Sequence, residues 1–376
     1  MREMSLYIHI PFCKQKCLYC DFPSYSGKER FMDEYIDALN KEILHKAHQY
    51  TVNSIFIGGG TPSYLNNSSL EKLLATLNKL NLKENIEFTV ECNPGTLDKK
   101  NLTIMKKYNV NRISMGLQST KNSVLKEIGR IHSYEEFRNN YFLARECGFD
   151  NINVDLMFGL PNKTFEDWKK SLEEVATLEP AHISAYSLII EEGTHFYDLY
   201  KNDKLNLPDE DKERLMYLAT KEILNKYGYH QYEISNFAKI GKECFHNKVY
   251  WKCDEYLGLG VSASSFIDKK RIKNIDDIQD YIDKIKKNED VTEEIHINDI
   301  NDNMEEFIFM GLRMIEGIEI NEFKERFNKD IYEVYRDIIN KNIKKELLIC
   351  SSGRLFLSPK GMEISNYVMS DFILGT

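Results

Sequence analysis

Apolar, β-branched runs alternate with stretches of helical spacing along the first 230 or so residues. The runs "SLYIHI" (5–10), "SIFIGG" (54–59), "IEFTVE" (86–91), "RISMGL" (112–117), "INVDLMF" (152–158) and "HISAYSLI" (182–189) predict buried strands. Helical spacing between them predicts helices over 29–48, 68–80, 98–108, 121–147, 164–178 and 209–227, with Ser68 and Asp98 at N-cap positions. Strand alternating with helix argues for a parallel sheet. Roughly six such units exceed a small doubly wound domain and fall short of the eight of a closed barrel. The first reading is therefore α/β, an incomplete (β/α)6-type barrel; an open doubly wound sheet is the second.

After residue 228 the rhythm changes. Residues 229–300 read as a connecting region: an aromatic-rich stretch short of clear helix, a Gly- and Ser-rich loop at 256–266, then a charged connection with one helix. From Asn303 regular spacing returns, with helices over 303–315, 319–328 and 331–345. "LLICSSGRLFLSPKG" reads as a hairpin turning on Ser-Gly, and a final helix begins near Lys360. Three parts follow: 1–228, the partial barrel; 229–300, the connection; and 301–376, a smaller winged-helix-like α+β domain suited to packing or covering.

Composition narrows the function classes. The chain has 376 residues and a formal net charge of −9. A mildly acidic chain has no general electrostatic reason to hold phosphate backbones, so nucleic acid is disfavoured as a partner. No stretch approaches the roughly 18 apolar residues of a membrane span. "MREMSLYIHIPFCK" has no small-residue cleavage site and does not read as a secretory signal. Eight Cys in 376 residues are too sparse for a disulfide scaffold, which points to the cytoplasm and to metal or redox chemistry for clustered cysteines.

Polar and glycine residues cluster where these strands end. "GGGTP" follows the second, "ECNPG" the third, "GLQS" the fourth and "DLMFGLP" the fifth, and in a parallel barrel that edge is where ligands bind. Near the start, "CKQKCLYC" places Cys13, Cys17 and Cys20 in a C-x3-C-x2-C spacing. Disulfide, zinc and iron–sulfur are the candidate readings. Structural zinc needs a fourth ligand, for which His9 and Asp21 are nearest, and zinc sites favour a second C-x2-C knuckle that is lacking here. A [4Fe–4S] cluster on three thiolates keeps one iron open for a chelating substrate or cofactor.

The spacing, with an aromatic before the last cysteine, resembles the radical S-adenosylmethionine (SAM) superfamily. The longer string "YIHIPFCKQKCLYCDF", continued by "GGGTP", "ECNPGTL", "RISMGLQS", "IGRIH", "VDLMFGLP" and "YEISNFAK", is similar to the branch of oxygen-independent coproporphyrinogen III oxidases and their relatives. The resemblance implies a [4Fe–4S] cluster on Cys13, Cys17 and Cys20 and SAM chelated to the open iron. It also implies an electron donor for the cluster and cleavage of the sulfonium bond to a 5′-deoxyadenosyl radical. By matching position, Tyr7 lies against SAM and Gly59, Gly60 and Thr61 line its methionine end. Arg130 suits the carboxylate, Glu91 the ammonium group, and Gln118 and Asp155 the ribose hydroxyls.

Two departures point away from the oxidases within that branch. Phe22 stands where they tend to carry a further cysteine, and the long extension they carry before the motif is missing. "HNKVYW" matches an H-N-x-x-Y-W motif of the heme-chaperone members, implying heme contact through His246, Asn247, Tyr250 and Trp251. Imidazole is a good axial ligand for heme iron, and aromatic rings pack on a macrocycle. The alternative is a hydrogen-bonded core histidine with packing aromatics. Cys244 and Cys253 are further candidate ligands. The expectation is a heme chaperone delivering heme to apo-proteins, conceivably as a homodimer, with no catalytic residue assigned. An oxidase is the second reading and a structural zinc protein the third.

Overall fold

The chain is described over residues 1–374 by a computed structural model. The six expected strands form as β1 (Glu3–Ile10), β2 (Thr51–Gly59), β3 (Leu82–Cys92), β4 (Arg112–Gln118), β5 (Asn151–Phe158) and β6 (His182–Ser187). They pair in parallel in the unreversed order 1-2-3-4-5-6. A doubly wound sheet reverses its order at a switch point; this one does not. Right-handed crossovers in an unreversed sheet put every connecting helix on one face. The helices wrap the outside, and the inner face is left for side chains and ligands, as in an incomplete barrel.

The helices are α1 (Met32–Lys46), α2 (Asn67–Leu77), α3 (Lys99–Lys107), α4 (Asn122–Glu127), α5 (Tyr134–Glu146), α6 (Phe165–Ala176), α7 (His195–Lys201) and α8 (Glu210–Lys226), of which α4 and α7 pack with Leu18 and Tyr19 at the strand-end edge. Asp98 caps α3 as expected, in a reciprocal box with Asn101, but α2 is capped by Asn66, whose side chain accepts from the Ser69 amide at 2.9 Å, and not by Ser68. The single helix expected over 121–147 is two. Gly129, at φ +78°, ends the first, and Ser133 caps the second. The break places Arg130 at the strand ends. Buried Trp168 donates to the Met216 carbonyl and Thr220 hydroxyl, locking α6 onto α8.

Residues 229–300 carry more regular structure than their sequence suggests: β7 (His230–Glu233), β8 (Asn236–Ala238), α9 (Phe245–Trp251), β9 (Tyr256–Leu259), β10 (Ser264–Ile267), β11 (Lys270–Asn274), α10 (Ile278–Lys287) and β12 (Thr292–Ile297). The Gly/Ser stretch expected as a loop supplies β9 and β10. β9 lies parallel beside β1, and β10 to β12 follow antiparallel. β8 and β7 extend the other side, completing a twelve-stranded sheet of order 12-11-10-9-1-2-3-4-5-6-8-7.

The remaining elements are α11 (Ile300–Gly311), β13 (Ile318–Glu319), α12 (Ile320–Phe327), α13 (Ile331–Lys344), β14 (Leu348–Ser351), β15 (Arg354–Leu357), α14 (Pro359–Glu363) and α15 (Ser365–Ser370). The hairpin forms as expected, and β13 joins it to make a three-stranded sheet. This part has its own core, including Met304, Phe307, Phe323, Tyr335 and Val368. The helix expected to 315 stops at Gly311, because residues 313–315 run along β7: Ile234 donates to the Arg313 carbonyl and Ile315 to the Tyr232 carbonyl, both at 3.0 Å. The final helix is two short ones parted at Ile364. The last two positions of the 301–376 part, 375 and 376, lie outside the described residues. Among the described residues no helix is long and apolar enough to cross a membrane.

Candidate functional site

Parallel strands converge their C-terminal ends on one edge, and a cleft of about 750 Å³ opens there. Cys13, Cys17 and Cys20 line it from the loop after β1. Gly59, Gly60 and Thr61 line it from the end of β2, Glu91, Gln118 and Asp155 from β3, β4 and β5, and Arg130 from the break between α4 and α5. A register shift between Gly116 and Gln118, with Gln118 at φ +71°, re-aims that side chain as β4 ends.

The cysteine loop is held along its length. The Cys13 amide donates to the Tyr25 carbonyl (3.0 Å), the Leu18 amide to the Ile128 carbonyl (3.1 Å) and the Gln15 amide group to the Gly129 carbonyl (3.1 Å). Close approach of β2 to this loop demands glycine. A Cβ on Gly60 would sit 2.7 Å from the Phe12 carbonyl oxygen and 3.1 Å from Cys13 Sγ. A Cβ on Gly59, at φ +106°, would sit 2.5 Å from the His9 ring.

Burial sets the electrostatics. It pushes the Cys20 thiol up to about 11 and raises that of Cys13, so protons leave these sulfurs when a soft cation takes their place. Cys13 Sγ lies 3.4 Å from Thr61 Oγ1, and Cys17 Sγ lies 3.5 Å from Arg130 Nη1. Glu91 is pushed up to about 8 by burial and by the nearby Asp155 carboxylate, although the Gly59 amide donates to it at 3.1 Å. Burial also raises Asp155, which accepts from Asn153 (2.7 Å) and Ser114 (3.3 Å). Two buried carboxyls that resist ionisation in one cleft suit a cationic ligand. Arg130 donates through Nη2 to Asn93 (2.9 Å) and to the Gly116 carbonyl, while its Nε has no partner.

These residues fit the implied cofactors. Among the described residues no three His, Cys, Asp or Glu side chains surround a single ion position. The thiols stand around a cleft, as one thiolate on each of three irons requires. His9, considered as a zinc ligand, uses Nδ1 on the Tyr7 hydroxyl (3.0 Å) and Nε2 on the Pro23 carbonyl (2.8 Å).

Other expected residues lie elsewhere. Tyr7 does not line the cleft; it faces a separate groove beside β9. The H-N-x-x-Y-W stretch, expected without clear helix, is helix α9, packed behind β2. His246 is fully buried (0% exposed). Its Nδ1 pairs with Ser54 Oγ at 2.8 Å, its Nε2 with the Tyr250 hydroxyl at 2.9 Å, and its ring stacks on Phe56 at 5.2 Å. Burial, with Arg112 nearby, pushes His246 down to about 3. It is a hydrogen-bonded core histidine and does not fit as an iron ligand in this arrangement. Trp251 packs under the Arg313 guanidinium at 4.4 Å, and Asn247 is half-buried. Cys244 is buried against Glu87 at 3.4 Å.

Sequence reasoning missed Tyr19, Asn93, Ser114 and Tyr186, all in the cleft wall. Asn93 sits inside the quoted "ECNPG", directly after a strand end, which was signal enough. Tyr186, which donates to Gln118 at 3.0 Å, carries no local signal beyond its place in a strand.

The curled parallel sheet with a three-cysteine cleft at its C-terminal edge is the arrangement of radical SAM proteins, and residues 7–175 match the radical SAM superfamily. Residues 299–364 match the HemN C-terminal domain. Across 98% of its length the chain is 37% identical to the heme chaperone HemW of Bacillus subtilis, covering 99% of that protein. It is 36% identical to the HemW of Lactococcus lactis, covering 98% of this chain and 97% of that one. The chain belongs to the heme chaperone HemW family. Its fold matches that of the coproporphyrinogen III oxidase HemN from Escherichia coli, with a TM-score of 0.86 over 99% of this chain and 90% of that one, at 23% identity.

Proposed function

We propose that this chain is a heme chaperone that holds a [4Fe–4S] cluster on Cys13, Cys17 and Cys20, binds SAM in the adjoining cleft, takes up heme and passes it to apo-proteins. The observation that carries this reading is the agreement with heme chaperones along the whole chain. The cleft chemistry supports the cofactors. Thr61 and Arg130 stand within hydrogen-bonding reach of the Cys13 and Cys17 sulfurs, where they would donate to cluster-bound sulfur. Arg130, with one nitrogen unpartnered, would take a carboxylate; Glu91 would take an ammonium group, losing its own proton as it does so. Gln118 and Asp155 would hold ribose hydroxyls, and Gly59 and Gly60 would let backbone lie against the methionine end. The reduced cluster, when present, supplies an electron to the bound sulfonium. The same reading places the chain in the cytoplasm, with an electron donor and heme-accepting apo-proteins as partners.

The test is anaerobic reconstitution with iron and sulfide, followed by heme titration, transfer to an apo-hemoprotein, and incubation with coproporphyrinogen III, SAM and reductant. Stoichiometric heme uptake with transfer, and no protoporphyrinogen, is the expected result. Absence of heme uptake overturns the reading, and protoporphyrinogen formation makes the chain an oxidase instead.

A further inference from the structure

The chaperone reading needs a seat for heme, and the His246 ring, paired at both nitrogens, does not supply its ligand. An open groove beside the cysteine cleft offers another place for it. Tyr7, Phe22, Tyr250, Tyr256 and Ser262 line it, and Phe22 lines the cysteine cleft as well, so one ring is the wall between the two.

Three observations suit this groove to a flat, largely apolar ligand. Its walls are aromatic: the Tyr250 and Tyr256 rings meet edge to face at 4.6 Å, and Phe22, two residues after a cluster cysteine, is 61% exposed. A large apolar ring so exposed has little packing of its own. Ser262, held in the left-handed region at φ +58°, has a buried hydroxyl with no hydrogen-bond partner. Finally, Arg271 Nη1 donates to the Tyr256 hydroxyl oxygen at 3.2 Å. Arg271 is fixed in turn by Glu306 at 2.6 Å and by stacking on Phe266 at 4.1 Å. Burial outweighs the guanidinium and keeps this phenol protonated in the free protein, but with iron in the proton's place the guanidinium contact would steady the phenolate oxygen, and phenolate is an established ligand of heme iron. The other two phenols are committed: Tyr7 to His9 and Tyr250 to His246.

We infer that Tyr256 is the heme-iron ligand and that the aromatic groove from Phe22 to Tyr250 is the seat of the macrocycle, a step that rests on the heme-chaperone reading. On binding, the phenol releases its proton to solvent and its oxygen bonds to ferric iron, with no change of oxidation state. Heme and cluster then share the Phe22 wall.

The experiment titrates ferric heme into the anaerobically reconstituted full chain and records optical and electron paramagnetic resonance spectra. It uses wild type, Tyr256→Phe, Tyr256→His and Phe22→Asp, with iron and sulfide content on the same samples confirming that each variant is folded. Wild type should show a high-spin ferric phenolate signature. Tyr256→Phe should lose it and bind heme at least about tenfold more weakly. Tyr256→His should bind with an imidazole signature, and Phe22→Asp should weaken binding while any bound heme keeps the phenolate signature. A phenolate signature surviving in Tyr256→Phe overturns the assignment, as does an imidazole or thiolate signature in wild type, which would point to His246 or Cys253. Wild type that binds no heme fails the chaperone reading itself.

Discussion

The cysteine cleft and the H-N-x-x-Y-W helix share one sheet but treat buried polar groups in opposite ways. In the cleft, burial raises both Glu91 and Asp155, with the Asp155 carboxylate adding to the rise of Glu91, Arg130 keeps an unpartnered nitrogen, and two thiols are pushed up by burial. Around α9 most polar groups close on one another: His246 with Ser54 and Tyr250, and Cys244 and the Phe245 and His246 amides with Glu87, the buried Trp251 indole nitrogen being an exception. Unsatisfied buried groups cost free energy unless a ligand satisfies them. The first region is built to receive something; the second is built to hold the sheet. The histidine of the H-N-x-x-Y-W stretch therefore need not be an iron ligand.

The contrast breaks most visibly at the cysteines. Cys17→Ser should lose nearly all iron and sulfide on reconstitution while the unfolding midpoint of the cofactor-free protein hardly moves. His246→Ala should do the reverse, retaining the capacity to assemble a cluster but losing about 2–4 kcal/mol in urea denaturation, through a cavity behind Phe56 and orphaned Ser54 and Tyr250 hydroxyls. Should His246→Ala be as stable as wild type, the His246 network does not hold the sheet.

Gly60→Ala sharpens the comparison at an intermediate scale. Its new methyl would press on the Phe12 carbonyl and Cys13 Sγ. We expect about 1–3 kcal/mol of destabilisation and a severalfold loss of cluster occupancy, measured by iron analysis.

The pH dependence has two opposing parts, one from buried histidines and one from Glu91. His246 and His132 are pushed down to about 3 and His9 to about 4, burial being the first cause in each case. The unfolded chain then binds more protons than the folded one below about 6.5, so stability falls as pH drops from there toward 4 and 3. Denaturation series at pH 7, 5 and 4 should show this steep loss. Glu91, raised to about 8, acts oppositely: the folded cofactor-free protein binds the extra proton, and stability declines as pH rises from about 4.5 through 8. Glu91→Gln should flatten that shallower slope, the smallest of these effects.

Much of the cleft was legible because strand ends are legible. Gly59, Glu91, Gln118 and Asp155 each sit in or just beyond an apolar run, and a parallel sheet brings such positions to one edge whatever the intervening chain. Residues whose place depends on distant pairing were not. β9 pairs with β1 across about 250 positions and its short apolar run is broken by glycine, while β12 is almost wholly exposed, so neither carries the uninterrupted apolar run that marks a strand. Tyr7 could be counted back from Cys13, but counting does not say that its hydroxyl is spent on His9. A histidine's partners, Ser54 for His246, likewise belong to another element and leave no trace beside it in the sequence.

The twelve-stranded sheet has unlike margins. Segment 313–315 seals β7, whereas β12 presents Glu293, Glu294 and exposed Ile295 and Ile297 to solvent. Charges of one sign along a bare strand hold other strands off. A sheet free at both margins, once those charges were neutralised, would propagate into a filament. One free at a single margin can join a second copy there and then has nothing left to offer, so its self-association terminates at two.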